Sequence, residues 1–61
     1  MKNYIRKYRL DKDVTQEEMC RHIGISRQSL INIEKQRCNP SLKIALKISI
    51  YFDEDLRKIF E

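Results

Sequence analysis

The sequence predicts an all-α fold, a compact bundle of five helices with no strand. Apolar side chains recur at three- and four-residue spacing, residues suited to capping helices precede these runs, and the one glycine and the one proline fall between them. The chain has 61 residues and is predicted to form a single domain, residues 1–61. A domain of this size buries only about 60% of its unfolded-chain surface, so it needs well-formed helices, a partner subunit or both.

Residues 3–12 and 15–23 are predicted to form the first two helices. The second opens with Thr15 and has Glu18 three residues later, which is the arrangement of a capping box. The apolar residues at helical spacing in these two helices are Ile5, Tyr8, Met19, Cys20 and Ile23.

A tight break at Gly24 separates the second helix from a third, predicted over residues 26–36. Ser26 opens the third helix, and Leu30 and Ile33 face the core. A turn of three to four residues between two crossed helices is the geometry that places the second helix in the major groove of DNA. This pair of helices therefore predicts a helix-turn-helix.

The outward face of the third helix decides the predicted function. It comprises Arg27, Gln28, Ile31, Asn32 and Lys35. Arginine suits the paired acceptors of guanine, and glutamine and asparagine suit adenine, so this face carries side chains that read base edges. Ile31 has two interpretations, since it either touches a thymine methyl group or is a peripheral contact of the core.

The fourth helix is predicted over residues 41–52, and a short fifth helix starts near Asp55. Ser41 follows Pro40 and is a good N-cap. The residues of the fourth helix predicted to face inward are Leu42, Ala45, Leu46, Ser49 and Phe52, with Ile44, Ile48 and Tyr51 widening the apolar stripe. The apolar residues of the fifth helix are Leu56, Ile59 and Phe60.

The excess positive charge lies in one part of the chain. Residues 1–40 carry nine Lys and Arg against five Asp and Glu, a net of +4, whereas residues 41–61 carry four of each. Charge polarised in this way favours a polyanion bound to one face. On charge alone, ordinary solubilising charge explains the pattern as well; together with the helix-turn-helix, it favours nucleic acid.

Several other classes of protein are not expected. No apolar run approaches the ~20 residues that span a bilayer, and the charged N-terminus has no signal-peptide pattern, so we expect a cytoplasmic, nucleoid-associated protein with no membrane partner. Cys20 is expected to be a small buried hydrophobe and Cys38 to lie in a loop. Cys20 and His22 stand on different helix faces, so we expect no metal site. No cofactor or small-molecule ligand is indicated.

Most of the chain resembles the phage lambda repressor/Cro-like helix-turn-helix family, in its minimal single-domain prokaryotic or phage form. The matching residues are VTQEEMCRHIGISRQSLINIEKQRCNPSLKIALKIS, and the similarity continues through the C-terminal DLRKIFE. The segments TQEE, GISRQS, IE and NPSL, at these separations, are specific to the family. The resemblance implies a lambda-repressor-like fold that binds double-stranded DNA.

The resemblance also implies roles for individual residues. Gln16 matches a family residue that contacts a DNA phosphate from a helix N-terminus. The residues that match base-reading positions are Arg27, Gln28 and Asn32. Those that match positions near the DNA backbone are Ser29, Lys35 and Arg37. Arg9 and Glu34 match a structural ion pair between the first and third helices.

Five residues depart from the family pattern. Asp13, Gln36 and Asp53 stand where the family often has glycine, so each is predicted to adopt a left-handed or turn conformation. Gln36 is expected to extend or reshape the end of the third helix. Leu10 and Ile50 replace polar family residues and are predicted to be exposed contacts with a second subunit.

These observations predict a sequence-specific transcriptional regulator, a repressor that binds a palindromic operator as a homodimer. One recognition helix reads too few base pairs for specificity in a genome, and two helices about 34 Å apart supply it. The predicted dimer surface lies within residues 50–60 and comprises Ile50, Tyr51, Leu56, Ile59 and Phe60. The other interpretation of these residues, above all of Leu56 and Ile59, is that they complete a small core.

Two other classes of function remain open. A helix-turn-helix module that binds protein, such as an antitoxin or an adaptor, would carry an apolar recognition face, and only Ile31 favours it. A small enzyme is the third class, but the sequence has no histidine–carboxylate–nucleophile set, phosphate loop or metal cluster, so we expect no enzymatic activity.

Overall fold

The computed structural model describes residues 2–61 and confirms the predicted all-α fold. The helices are α1 (Ile5–Asp11), α2 (Gln16–Ile23), α3 (Arg27–Glu34), α4 (Leu42–Phe52) and α5 (Leu56–Ile59). Within residues 2–61 the β-type pairing is limited to one antiparallel bridge between Asn3 and Phe60, which joins the two ends of the described chain. None of these helices has the length and apolar character that a membrane crossing requires.

Side-chain caps fix where four of the helices begin. The capping residues are Thr15, Ser26, Ser41 and Asp55, each in an extended conformation and each accepting a backbone N–H from the first turn. The guanidinium of Arg57 beside Asp55 lowers the pKa of that carboxyl to about 2. These caps satisfy N–H groups that have no partner within their own helix.

Helices α1 to α4 all end in the same backbone geometry. Each is followed by a left-handed residue; in chain order these are Asp13, Gly24, Gln36 and Asp53, with φ of 58°, 83°, 64° and 52°. The N–H of the next residue then donates to the carbonyl five positions earlier, at 2.9 to 3.1 Å. This is the Schellman arrangement. The predicted left-handed conformation of the three residues that replace glycine is therefore confirmed.

Gln36 adopts its left-handed conformation while its side chain binds the N-terminal segment. Its Oε1 accepts from the backbone N–H and from Nδ2 of Asn3, and its Nε2 donates to the Asn3 carbonyl, all at 3.1 Å. Asn3 Nδ2 also donates to the Ile33 carbonyl at 2.8 Å. Helix α3 therefore ends at Glu34, and Gln36 does not extend it. A left-handed residue with a Cβ costs about 1–2 kcal/mol, which these bonds offset.

The hydrophobic core takes residues from all five helices. Its buried members are Ile5, Met19, Cys20, Ile23, Leu30, Ile33, Ile48, Phe52 and Ile59. The predicted burial of Cys20 is confirmed, and Cys38 is exposed. The prediction that Ile59 contacts a second subunit is wrong, because this side chain is 0% exposed in the single chain and completes the core.

The predicted inward face of α4 is partly wrong. Leu42 and Leu46 point outward and are 72% and 46% exposed, whereas Ala45, Ile48 and Phe52 are buried. Helix α4 is apolar on nearly every side, so residue spacing alone allows more than one inward face. The face that is buried includes two aromatic rings, Tyr51 and Phe52, which remove more apolar area from water than the leucines do.

Candidate nucleic-acid interface

The turn between α2 and α3 sets the geometry of the site. Gly24 has φ of 83°, and a Cβ at this position would meet nothing within 4 Å, so the backbone conformation and not space requires glycine here. Ile25 is half-buried against the core, and the Ser26 hydroxyl accepts the N–H of Ser29 at 3.1 Å. Three residues therefore separate α2 from α3, as in a helix-turn-helix.

The outer face of α3 combines an exposed cation with a pair of amides. Arg27 and Gln28 are exposed in its first turn, and Asn32 is half-buried one turn later. Gln28 Nε2 donates to Asn32 Oδ1 at 3.1 Å, so the two carboxamides form one unit along the helix. Within residues 2–61, no carboxylate lies within ion-pair distance of Arg27. Its guanidinium thus keeps its donors for another acceptor.

Ile31 lies half-buried beside this amide pair. Its exposed part adds an apolar group to the outer face, and Ile31 is not among the partly buried side chains that pack against the core. Because Ile31 is partly buried, it does not create a large exposed apolar patch on this face. The structure therefore gives no support to a peripheral core contact, and the thymine contact stays a prediction.

The predicted DNA-backbone contacts flank the two ends of α3. Ser29 is half-buried, and its hydroxyl is bonded to that of Ser26 at 2.8 Å. Lys35 and Arg37 are both exposed on either side of Gln36. The backbone N–H of Arg37 donates to the Asn32 carbonyl at 2.9 Å, which fixes the start of this side chain at the C-terminal end of α3.

The buried ion pair predicted between Arg9 and Glu34 is present. Arg9 Nε and Nη2 donate to the two oxygens of the Glu34 carboxylate at 2.9 and 3.3 Å, and the side chains are 10% and 3% exposed. Arg9 Nη1 also donates to the Val14 carbonyl at 3.1 Å. Gln16, the predicted phosphate contact, donates its Nε2 to Glu34 at 3.3 Å. One carboxylate therefore joins α1, α2 and α3.

The residues predicted to form the dimer surface are not equally accessible. Ile50 is 79% exposed, and Tyr51, Leu56 and Phe60 are half-buried. The Tyr51 ring lies 5.4 Å from that of His22, and burial, followed by the charge of Glu18, raises the pKa of Tyr51. An apolar groove of about 390 Å³ is lined by Pro40, Leu42, Ala45, Leu56, Arg57 and Phe60.

Leu42, Leu46 and Ile50 together form what we call the α4 outer stripe. They stand four residues apart on α4 and are 72%, 46% and 79% exposed. The sequence predicts that Ile50 is exposed but that both leucines lie in the core. The four-residue spacing of the three aliphatic side chains was the signal that could have identified the stripe.

Comparison with known proteins identifies the family. The model of the helix-turn-helix family matches residues 5–59. The chain is 43% identical over 60 residues to an HTH-type transcriptional regulator of Methanocaldococcus jannaschii, which covers 98% of this chain and 91% of that protein. It is 35% identical over 60 residues to the HTH-type transcriptional regulator YgzD of Bacillus subtilis, with the same coverages of 98% and 91%.

A solved structure with the same fold agrees with this family. The restriction-modification controller protein C.AhdI from Aeromonas hydrophila matches with a TM-score of 0.83 and 28% identity, over 92% of this chain and 85% of that one. The family resemblance seen in the sequence is thereby confirmed. The chain belongs to the helix-turn-helix family of DNA-binding regulators.

Proposed function

We propose that this protein is a transcriptional repressor that binds a palindromic operator in double-stranded DNA as a homodimer. The observation that carries the proposal is the outer face of α3, where the exposed Arg27 stands beside the hydrogen-bonded pair of Gln28 and Asn32. These side chains follow directly after a helix-turn-helix turn. The N-terminal residues of such a helix are the ones that reach base edges in the major groove.

The base-reading roles follow from the donors on this face. Arg27 pairs with O6 and N7 of a guanine, because its planar fork matches those two acceptors. The Gln28–Asn32 unit meets an adenine through one carboxamide while the other holds it in place. Ile31 contacts a thymine methyl group with its exposed part. A good bidentate pair supplies about 1–3 kcal/mol of discrimination against the wrong base.

The phosphate contacts come from side chains around these base-reading residues. They are Gln16 at the start of α2, Ser29 in α3, and Lys35 and Arg37 at the end of α3. Such contacts hold the helix in register on the duplex without reading sequence. They also carry the salt dependence of binding, since each neutralised phosphate releases counterions.

The occupant of the α4 outer stripe is a second copy of this chain. Three large aliphatic side chains that are 46–79% exposed form a surface that is unusual on a small monomer. Ile50 lies at its C-terminal end next to the half-buried Tyr51, so the stripe is continuous with part of the predicted dimer surface. A two-fold dimer doubles the number of base pairs read, and specificity requires this.

The relatives support the control of transcription as the outcome of DNA binding. Two of them are named as transcriptional regulators, and the structural neighbour is a restriction-modification controller. Repression needs no surface beyond those described, because a dimer that occupies an operator overlapping a promoter excludes the polymerase. Transcription from such a template should fall as the protein is added, and a rise would show an activator.

Selection of bound duplexes from a random pool tests the proposal. We expect a palindromic consensus with a guanine in each half-site and half-sites whose centres are about one helical turn apart. A consensus without two-fold symmetry would overturn the dimeric operator. Recovery of no consensus from repeated rounds would overturn sequence-specific binding.

A protein-binding module is the second candidate, and the α4 outer stripe is the observation that favours it. If the stripe binds a different protein, the purified chain should sediment as a monomer at micromolar concentration. If it binds a second copy, sedimentation should show a dimer that dissociates on dilution.

A further inference from the structure

The carboxylate of Glu34 accepts a third hydrogen bond besides the two of its ion pair with Arg9. Arg9 donates to it twice, and Gln16 Nε2 donates to its Oε1 at 3.3 Å. The Glu34 side chain is 3% exposed, whereas Gln16 is half-buried at the start of α2. Gln16 therefore reaches from the surface to a buried anion at the far end of α3.

This bond fixes which way the Gln16 carboxamide faces. An ionised carboxylate only accepts hydrogen bonds, so the nitrogen and not the oxygen of the amide must point at Glu34. One N–H of Nε2 is then used inward, and the second N–H of the same planar group is turned away from Glu34. Without Glu34, the amide would be free to rotate and present its oxygen, which repels a phosphate.

We propose that Glu34 is a positioning residue for the phosphate contact of Gln16. Its carboxylate, itself fixed by Arg9, holds the Gln16 amide so that a donor and not an acceptor faces the DNA backbone. Glu34 is the last residue of α3, so the same carboxylate links this phosphate contact to the helix that reads the bases. The inference rests on the proposed function, because it requires that the α2–α3 face binds DNA.

A structural role for Glu34 alone predicts a different outcome. If Glu34 serves only to neutralise Arg9, its loss weakens folding, and DNA binding then suffers equally whatever residue stands at position 16. If Glu34 positions Gln16, the two residues are coupled in DNA affinity. A double-mutant cycle measures this coupling directly.

The cycle compares Gln16→Ala, Glu34→Gln and the double variant on the duplex recovered by selection. We expect Gln16→Ala to weaken binding about tenfold, as for loss of a hydrogen bond to a charged group. Glu34→Gln should weaken binding about fivefold in the parent and less than about twofold when Ala stands at position 16. Equal fold-losses in both backgrounds would overturn the positioning role.

A second pair of substitutions removes the Glu34 carboxylate without destabilising the fold, so that lost binding is not due to lost folding. The paired change Arg9→Met with Glu34→Leu removes the acceptor of Gln16 and leaves no unpaired buried charge, and such replacements are often neutral for stability. In this background Gln16→Ala should change affinity less than about twofold. Lys35→Ala removes a side chain that forms no hydrogen bond or ion pair with the Glu34 carboxylate, so it should keep its full effect. An undiminished effect of Gln16→Ala would overturn the proposal.

A modified duplex gives a readout that a purely structural role would not move. Single methylphosphonate substitutions remove the charge of one phosphate at a time, and one position should weaken binding by the parent protein but not by Gln16→Ala. The substitution at that position should also leave binding by the Arg9→Met, Glu34→Leu variant unchanged. If the parent protein binds no duplex specifically, the proposed function itself fails; if it binds and that position stays sensitive in this variant, only the positioning role fails.

Discussion

Helices α3 and α4 are consecutive, yet their outer faces are opposite in character. The outer face of α3 carries a guanidinium and two carboxamides, whereas the outer stripe of α4 carries three aliphatic side chains. Both helices bury apolar residues on the inner side. The packing of the bundle therefore does not determine which residues lie on their solvent-exposed sides. We infer that the two faces have different partners, nucleic acid for α3 and protein for α4.

The two helices also differ in how they are held. Helix α4 is anchored by apolar side chains such as Ile48 and Phe52, which are 0% and 1% exposed. Helix α3 adds polar anchors at its C-terminal end, namely the Arg9–Glu34 ion pair and the bond from Asn3 to a carbonyl of α3. The helix that we propose to meet DNA is thus fixed by directional bonds, which set its position more sharply than apolar packing does.

The largest expected effect comes from breaking the polar anchor of α3. Arg9→Met leaves the Glu34 carboxylate buried without a cation, and the free energy of unfolding should fall by about 4 kcal/mol, as for other broken buried pairs. Urea unfolding measures this change. Adding Glu34→Leu should restore most of the loss, since no lone charge remains. Equal stability of the single and paired variants would show that the ion pair does not anchor α3.

The next largest effect is expected on the outer face of α3. Arg27→Ala should weaken binding to the selected duplex by about 2 kcal/mol and relax the preference at one base pair. Arg37→Ala is the matched control, because it removes a cation that we propose to contact a phosphate and not a base. It should weaken binding to all sequences alike and reduce the salt slope by about one unit. Competition against random duplex separates the two, and identical behaviour would contradict the assigned roles.

A smaller effect is expected from the outer stripe of α4. Ile50→Glu should destabilise the dimer by about 1.5 kcal/mol per subunit, since an apolar side chain leaves a buried surface and a charge enters it. Sedimentation equilibrium should then show monomers, with weak operator binding. Leu10→Glu tests the other residue predicted to contact a second subunit, which is 53% exposed on α1. A dimer lost in Leu10→Glu but kept in Ile50→Glu would move the interface to α1.

The smallest effect compares the ends of the two helices. Both end at a left-handed residue, Gln36 after α3 and Asp53 after α4. Asp53→Gly should stabilise the fold by about 0.5 kcal/mol, because glycine relieves the strain but adds freedom to the unfolded chain. Gln36→Gly should instead destabilise it by about 1 kcal/mol, because the bonds to Asn3 are lost. Thermal unfolding of both variants distinguishes these signs.

Local sequence predicted the features that depend on neighbouring residues. Thr15, Ser26 and Ser41 marked the helix starts, and Gly24 marked the turn, because capping and left-handed conformations are decided within a few residues. The family resemblance added the Arg9–Glu34 pair, which spans 25 residues and has no local signal.

Features that depend on tertiary packing were not predictable in the same way. The sequence predicts Leu42 and Leu46 inside because α4 is apolar on every side except that of Lys43 and Lys47, and only the neighbouring helices decide which apolar side is covered. For Ile59 the sequence leaves two places open, a dimer surface and the core, and the structure buries it in the core. The bond from Gln16 to Glu34 joins two polar residues 18 apart, and no spacing rule connects them.

We propose that the outer face of α3, and not that of α4, meets the DNA. Nuclear magnetic resonance of the labelled protein, titrated with the selected duplex, distinguishes the two faces. The side-chain amide signals of Gln16, Gln28 and Asn32 should shift on binding, while the methyl signals of Leu42 and Leu46 stay at their dimer positions. Shifts confined to the α4 outer stripe, with unmoved amides on α3, would show that α3 does not meet the DNA.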